Sequence, residues 1–410
     1  MRFLPTGEQS EFARTLRRLL GASDLPGAVR AWQAGDTGPG LGVWRKLGGT
    51  GLFALPVPEA HGGLGPLPVE LALGFVELGR AGMPGPAVET ATASVLLAAL
   101  AGANGAQGAN RAQGAEGAPG AHGVQAAEGA AEPAKRFLPA LAAGEARATV
   151  VLPGGGPYAL DADTADHRFT VSADGELRLA AAPDARAVRV STDPARRLAA
   201  LPPGGELLAS GPAVLAAAAT ALRWARLLTA AQCVGLGEAL LTRTVEYAKQ
   251  RTQFGTPIGS FQAVKHRLAD VLLRLEFARP VLWAGALSLA DGATAAGGGG
   301  NGTGGGDGGP GDGGPGRTVA DDVAAAKLTA GEAAYAAARA ALQLHGAVGY
   351  TEELDLSLWL RKARPLRDAW GTPQDCRAAV VAEALGQAGR FSCQETPKRS
   401  LTQPKRALKP

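Results

Sequence analysis

Arg251-Thr-Gln-Phe-Gly-Thr-Pro-Ile-Gly-Ser-Phe-Gln-Ala-Val-Lys-His266 and Gln343-Leu-His-Gly-Ala-Val-Gly-Tyr-Thr-Glu-Glu353 decide the fold of this chain. Each is a polar, glycine-containing turn between long helical patterns. Such turns present backbone N–H groups, amides and an arginine to a phosphate-bearing ligand. On the N-terminal side of the first turn, Leu227, Leu228, Leu240, Leu241 and Val245 recur at helical spacing over 213–250. After it, Val264, Leu268, Val271, Leu272 and Leu275 form an amphipathic stripe that runs on to Leu289, with Pro280 expected to kink or break the helix. An alanine-rich helix is expected over 318–344, stopped by Gly346, and two more over 355–369 and 373–385.

Outward from this region, 8–35, 67–81 and 86–100 read as helices, with Phe12, Leu16, Leu19 and Leu20 marking the first apolar stripe. Gly51 to Gly65, rich in proline and glycine, reads as an ordered turn. Short β-branched or alternating runs at 148–152, 168–172, 176–179 and 187–190 predict a small antiparallel sheet. Residues 101–133 are mostly Ala, Gly, Gln and Asn, and are expected to be a disordered insertion because they bury too little to offset ordering entropy. Gly297 to Gly316 is expected to be a flexible loop, and 391–410 a solvated tail.

The 410 residues allow two or three domains. A formal charge of +4 without a basic, aromatic-interleaved stripe argues against nucleic acid. Cys233, Cys376 and Cys393 lack CxxC spacing, which argues against a disulfide framework and points to a reducing compartment. No secretory signal is evident, and the apolar run from Pro212 meets Arg223 too early to span a bilayer. The expectation is a cytoplasmic, non-membrane protein. His266 and His345 lack a facing carboxylate pattern, so no metal site is expected.

The two quoted turns, with the segment 51–65, resemble the acyl-CoA dehydrogenase family. The resemblance implies a mostly α chain with a small β middle domain. An N-terminal helical domain (1–135) precedes a shortened antiparallel β domain (136–210) and a C-terminal four-helix FAD and oligomerisation domain (211–390). In that family a carboxylate takes the α-proton of an acyl-CoA thioester and FAD takes the β-hydrogen, with FAD lying across a subunit interface. Carried over by position, Arg251, Thr252, Gln253, Phe261 and Gln262 are expected to contact FAD. So are Gln343, Leu344, His345 and Gly346, and then Thr372 and Gln374. Arg226 is expected on the substrate side.

The chain departs from the family at the base. Arg361-Lys-Ala-Arg364 leads to Asp368-Ala-Trp370-Gly-Thr-Pro-Gln374, and Trp370 occupies the position of the usual glutamate. The alternative position, 26 residues before Arg251, is Ala225, followed by Arg226. Indole cannot abstract a proton, which leaves Asp368 as a substitute candidate. The middle-domain segments that hold the flavin ring are not found, and Leu152 is followed by Pro-Gly-Gly-Gly-Pro-Tyr. Gly349-Tyr-Thr-Glu-Glu-Leu-Asp-Leu-Ser-Leu-Trp-Leu-Arg-Lys-Ala363 resembles companion subunits of heteromeric acyl-CoA dehydrogenases, some acting on sterol side chains. The resemblance implies a subunit that completes the FAD site of a catalytic paralogue in a heterotetramer, with electron-transfer flavoprotein as an acceptor. The alternatives are a catalytic homo-oligomer using Asp368, or a non-catalytic CoA-binding relic.

Overall fold

The fold begins with a capping box. Thr6 accepts from the backbone N–H of Gln9, whose side chain accepts from that of Thr6, and α1 (Gly7–Gly21) starts there. The structure, a computed structural model, describes residues 4–114, 123–184, 187–189, 191–297 and 318–392. α1 buries Leu16 and Leu20; α2 (Leu25–Gln33) and α3 (Gly38–Gly48) bury Trp32 and Trp44. α3 was not expected, because its four glycines hide the spacing of Val43, Trp44 and Leu47.

After short 3-10 turns at Leu52–Ala54 and Glu59–His61, α4 (Pro68–Ala81) and α5 (Ala87–Gly114) follow. α6 spans Gly123–Ala142. The expected disordered insertion is therefore helical in its described parts, α5 continuing to Gly114 and α6 starting at Gly123. Alanine-rich segments carry high helix propensity even where they bury little, and residues 115–122 lie outside the described range.

The β domain is a mixed sheet rather than the purely antiparallel one expected. β1 (Ala148–Val151) runs parallel to β3 (His167–Val171), which pairs antiparallel with β4 (Glu176–Leu179), and β4 with β7 (Glu206–Ser210). The parallel pair arises because β2 (Ala159–Leu160) leaves this sheet. It joins β6 (Leu198–Ala199) and β5 (Val188–Arg189) in a second, three-stranded one. Val150, Phe169, Val171 and Leu177 face the core.

The C-terminal bundle is built on α7 (Pro212–Gln250), about 58 Å long at 1.5 Å per residue. α7 is long and apolar enough to cross a membrane, but its Leu227, Leu228, Val234, Leu236 and Leu240 are buried in the core it forms with α4 and α5. α8 (Gln262–Gly297) continues through Pro280 instead of breaking there. α9 (Val319–His345), α10 (Leu356–Asp368) and α11 (Pro373–Ser392) complete the bundle. The Gly-rich loop expected over 297–316 lies outside the described residues but for Gly297, as does the tail beyond Ser392.

Candidate cofactor and acyl site

Two turns meet at one end of the bundle. Arg251 caps the C-terminus of α7, and its carbonyl accepts from Ile258 N–H at 2.8 Å. Between these residues lies a tight hairpin, β8 (Thr252–Gln253) against β9 (Thr256–Pro257). Phe254 and Gly255 sit at its tip with φ of 53° and 78°, the paired left-handed geometry of two-residue hairpin turns. Arg251, Thr252, Gln253, Phe261 and Gln262 are all exposed, and Phe254 is 93% exposed. At the end of α9, Gly346 stops the helix with φ 64°. The His345 ring is buried, stacks on Tyr247 at 4.0 Å and has Nδ1 2.8 Å from the Ala341 carbonyl. Tyr247 is one turn before Arg251, so this stack ties the two motifs together. Burial pushes the His345 pKa down. Its ring is committed to packing, so His345 serves the site by fixing the turn.

Gln343 and Gly346 border a cleft of about 880 Å3 between α8 and α9, lined also by Arg267, Arg274, Arg339 and Tyr350. Leu344 is half-buried beside it. The position carry-over missed these three arginines; Arg267 and Arg274, seven apart on an amphipathic helix, were the available signal. The three guanidinium groups and the Gln343 amide are a donor set that fits the phosphate-bearing part of a dinucleotide such as FAD. Arg251 and Gln253 do not line the cleft; they project from the hairpin, where an adjoining chain could share them.

The second site surrounds Trp370, where the resemblance places the base. Ala225 is fully buried. Arg226 Nε donates to the Trp370 carbonyl at 2.9 Å, so its guanidinium is used to hold the turn. Trp370 is 7% exposed with φ 59°, and Gly371 follows at φ 135°. Lys327, 1% exposed, donates to the carbonyls of Arg367 (2.6 Å) and Gly371 (3.3 Å). Burial lowers its pKa. Thr372 is taken up in capping α11 with Asp375: Thr372 Oγ1 donates to Asp375 Oδ2 at 2.7 Å and accepts from Asp375 N–H at 3.2 Å. Gln374 is exposed on that helix. The structure thus separates Thr372 and Gln374 from the cleft that Gln343 and Gly346 border.

Asp368 accepts from Arg367 Nε at 2.9 Å and lies 4.0 Å from Arg364. It borders a cavity of about 470 Å3 with Trp370, Arg196, Tyr158 and Glu89. Glu89, in the first turn of α5, is 3% exposed and was not identified from sequence. Burial raises its pKa, opposed by the nearby Arg196 charge and by the Trp370 side chain. An indole N–H is a donor only and takes no proton. Among the described residues no group of three His, Cys, Asp or Glu side chains could hold a metal.

Residues 6–111 match the family model described as acyl-CoA dehydrogenase, N-terminal domain, and 215–386 the C-terminal domain. The chain is 32% identical over 385 residues to acyl-CoA dehydrogenase IpdE2 of Mycobacterium tuberculosis, covering 92% of this chain and 98% of the relative. It is also 32% identical to acyl-CoA dehydrogenase FadE34 of the same organism, over 88% of this chain and 45% of that one. Among solved structures it resembles the Tcur3481–Tcur3483 steroid ACAD variant, with TM-score 0.68, 24% identity and coverage of 93% and 99%. It likewise resembles the ChsE4–ChsE5 complex of Mycobacterium tuberculosis, with TM-score 0.65, 20% identity and coverage of 97% and 100%. Helical domains at both ends of a small β region, and a full-length relative at this identity, make this chain a member of the acyl-CoA dehydrogenase family.

Proposed function

We propose that this chain is a companion subunit of a heteromeric acyl-CoA dehydrogenase. It would complete the FAD site of a paralogue that supplies the base for α,β-dehydrogenation of an acyl-CoA thioester. The observation that carries this is Trp370: buried, bordering the same cavity as Glu89, and with no lone pair to take a proton where the family resemblance places the base. Ala225 leaves the alternative position equally without a base. Bound FAD would accept the hydrogen lost from the acyl chain, with electron-transfer flavoprotein as a fitting acceptor. This chain's part is positional. Arg251 and Gln253 on the exposed hairpin, and Gln343 beside Gly346, would meet the cofactor's phosphates from the neighbouring side. A lipid or sterol side-chain substrate is supported by the steroid enzyme among the similar structures.

Asp368 supports a second reading, a homo-oligomer with its own base, because it borders the cavity with Trp370. Its carboxylate is engaged by Arg367 at 2.9 Å, away from any free approach to the cavity's other groups. The test is reconstitution. The chain alone should fail to reduce a dye acceptor with any acyl-CoA, whereas the complex with its paralogue should turn over and hold FAD. In that complex Arg251→Ala should weaken FAD binding about 10- to 100-fold, since a hydrogen bond to a charged group contributes roughly 1.5–3 kcal/mol. Turnover by the single chain, abolished by Asp368→Asn, would establish the second reading instead.

A further inference from the structure

We propose that the 470 Å3 cavity between α5, the β domain and α10 binds a small carboxylate, with the Arg196 guanidinium as its anchor. Arg196 lines the cavity, yet among the described residues it makes no side-chain hydrogen bond and has no carboxylate within 4.0 Å. Its neighbours are already matched. Arg197 pairs with Asp163, buried Lys362 with Asp193 at 2.8 Å, and Asp368 across the cavity with Arg367. Two buried acids bear on Arg196, Glu89 and Asp161, and burial disfavours the charged form of each. The cavity thus offers a guanidinium that no side chain among the described residues hydrogen-bonds. A carboxylate can accept from it with both oxygens in parallel.

The walls fit an organic acid rather than a bare ion. Trp370 and Tyr158 supply aromatic surface, and Gly155 keeps the space beside the indole open, since a Cβ there would lie 2.7 Å from the Trp370 ring. The volume falls within the roughly 300–1,000 Å3 usual for small-molecule sites. The inference goes beyond the companion role. None of these residues belongs to the 251–262 hairpin or to α8, so it can fail while the cofactor reading stands, and the reverse.

The carboxylate could be a free acid or the far end of an acyl thioester, and two pairs of probes separate these. The full chain is titrated by calorimetry with succinate against succinamide, and with succinyl-CoA against butyryl-CoA. At least one carboxylate should bind saturably and at least tenfold more tightly than its neutral counterpart. Binding of succinate identifies a free-acid site; binding of succinyl-CoA alone identifies an acyl-end site. Arg196→Gln, with an unchanged circular dichroism melt, should weaken the favoured probe at least tenfold. If neither carboxylate outbinds its counterpart on the wild-type chain, the proposal is overturned, whether or not the variant folds. Equal binding by folded Arg196→Gln overturns it too.

Discussion

Trp370 adopts a left-handed φ of 59°, which bulky residues rarely take. Arg226 holds its carbonyl, Lys327 holds the carbonyls on either side, and its side chain borders a cavity with Glu89. Trp370 at the position expected for a base was legible in the sequence, but the support around it was not, because Glu89, Arg226 and Lys327 come from three other helices. Asp161 is another residue that only burial reveals. It accepts from Trp32 Nε1 at 3.2 Å, and burial raises its carboxyl from 3.8 to about 7. The folded state then binds this proton more tightly than the unfolded chain does. Stability should therefore fall as pH rises from about 4 to about 7, by up to roughly 4 kcal/mol. Asp161→Asn keeps an acceptor for Trp32 and removes this contribution. Urea unfolding at pH 5 and pH 8 should show a smaller loss of stability in the variant than in the wild type; equal losses would exclude Asp161 as the source.

At the scale of elements, α4 and α7 approach so closely that only glycine fits at their crossing. A Cβ on Gly235 would lie 1.8 Å from the Val76 carbonyl oxygen, and one on Gly79 2.1 Å from that of Gln232. Around this contact Glu77 pairs with Arg17 at 2.7 Å and with Arg80 at 3.1 Å. Glu238 binds Arg80 and Arg279. These pairs match the buried carboxylates on both helices. Gly235→Ala should cost roughly 3 kcal/mol or more, because backbone and not a flexible side chain must move. Chemical denaturation measures this, and a loss under 1 kcal/mol would show that the helices slide apart freely. Periodicity located α4 and α7 to within a residue or two. It could not identify which of their glycines make the crossing, since that depends on a partner more than a hundred residues away in the chain.

For the whole molecule, the exposed face of α8 is the conspicuous surface. Leu273 and Phe277, four residues apart and so on one side of the helix, are 54% and 72% exposed. Phe254 on the adjoining hairpin is more exposed still. Apolar groups displayed beside the proposed cofactor residues suit a subunit interface. Phe277→Glu should leave the monomer's melting temperature nearly unchanged and weaken association with the paralogue at least tenfold, as read by analytical ultracentrifugation. Unaltered association would move the interface elsewhere.

The sequence by itself determined most of the helical order and the fold family, and it set Trp370 and Ala225 where the resemblance places a base. Periodicity, stop signals and short motifs are local properties, read within one or two turns of chain. The tertiary structure decided the parallel pairing of β1 with β3, the burial of Glu89 and Asp161, and the assembly of Arg196, Tyr158 and Trp370 around one cavity. Those features join residues distant in sequence, and burial and charge compensation exist only once such residues share a low-dielectric space.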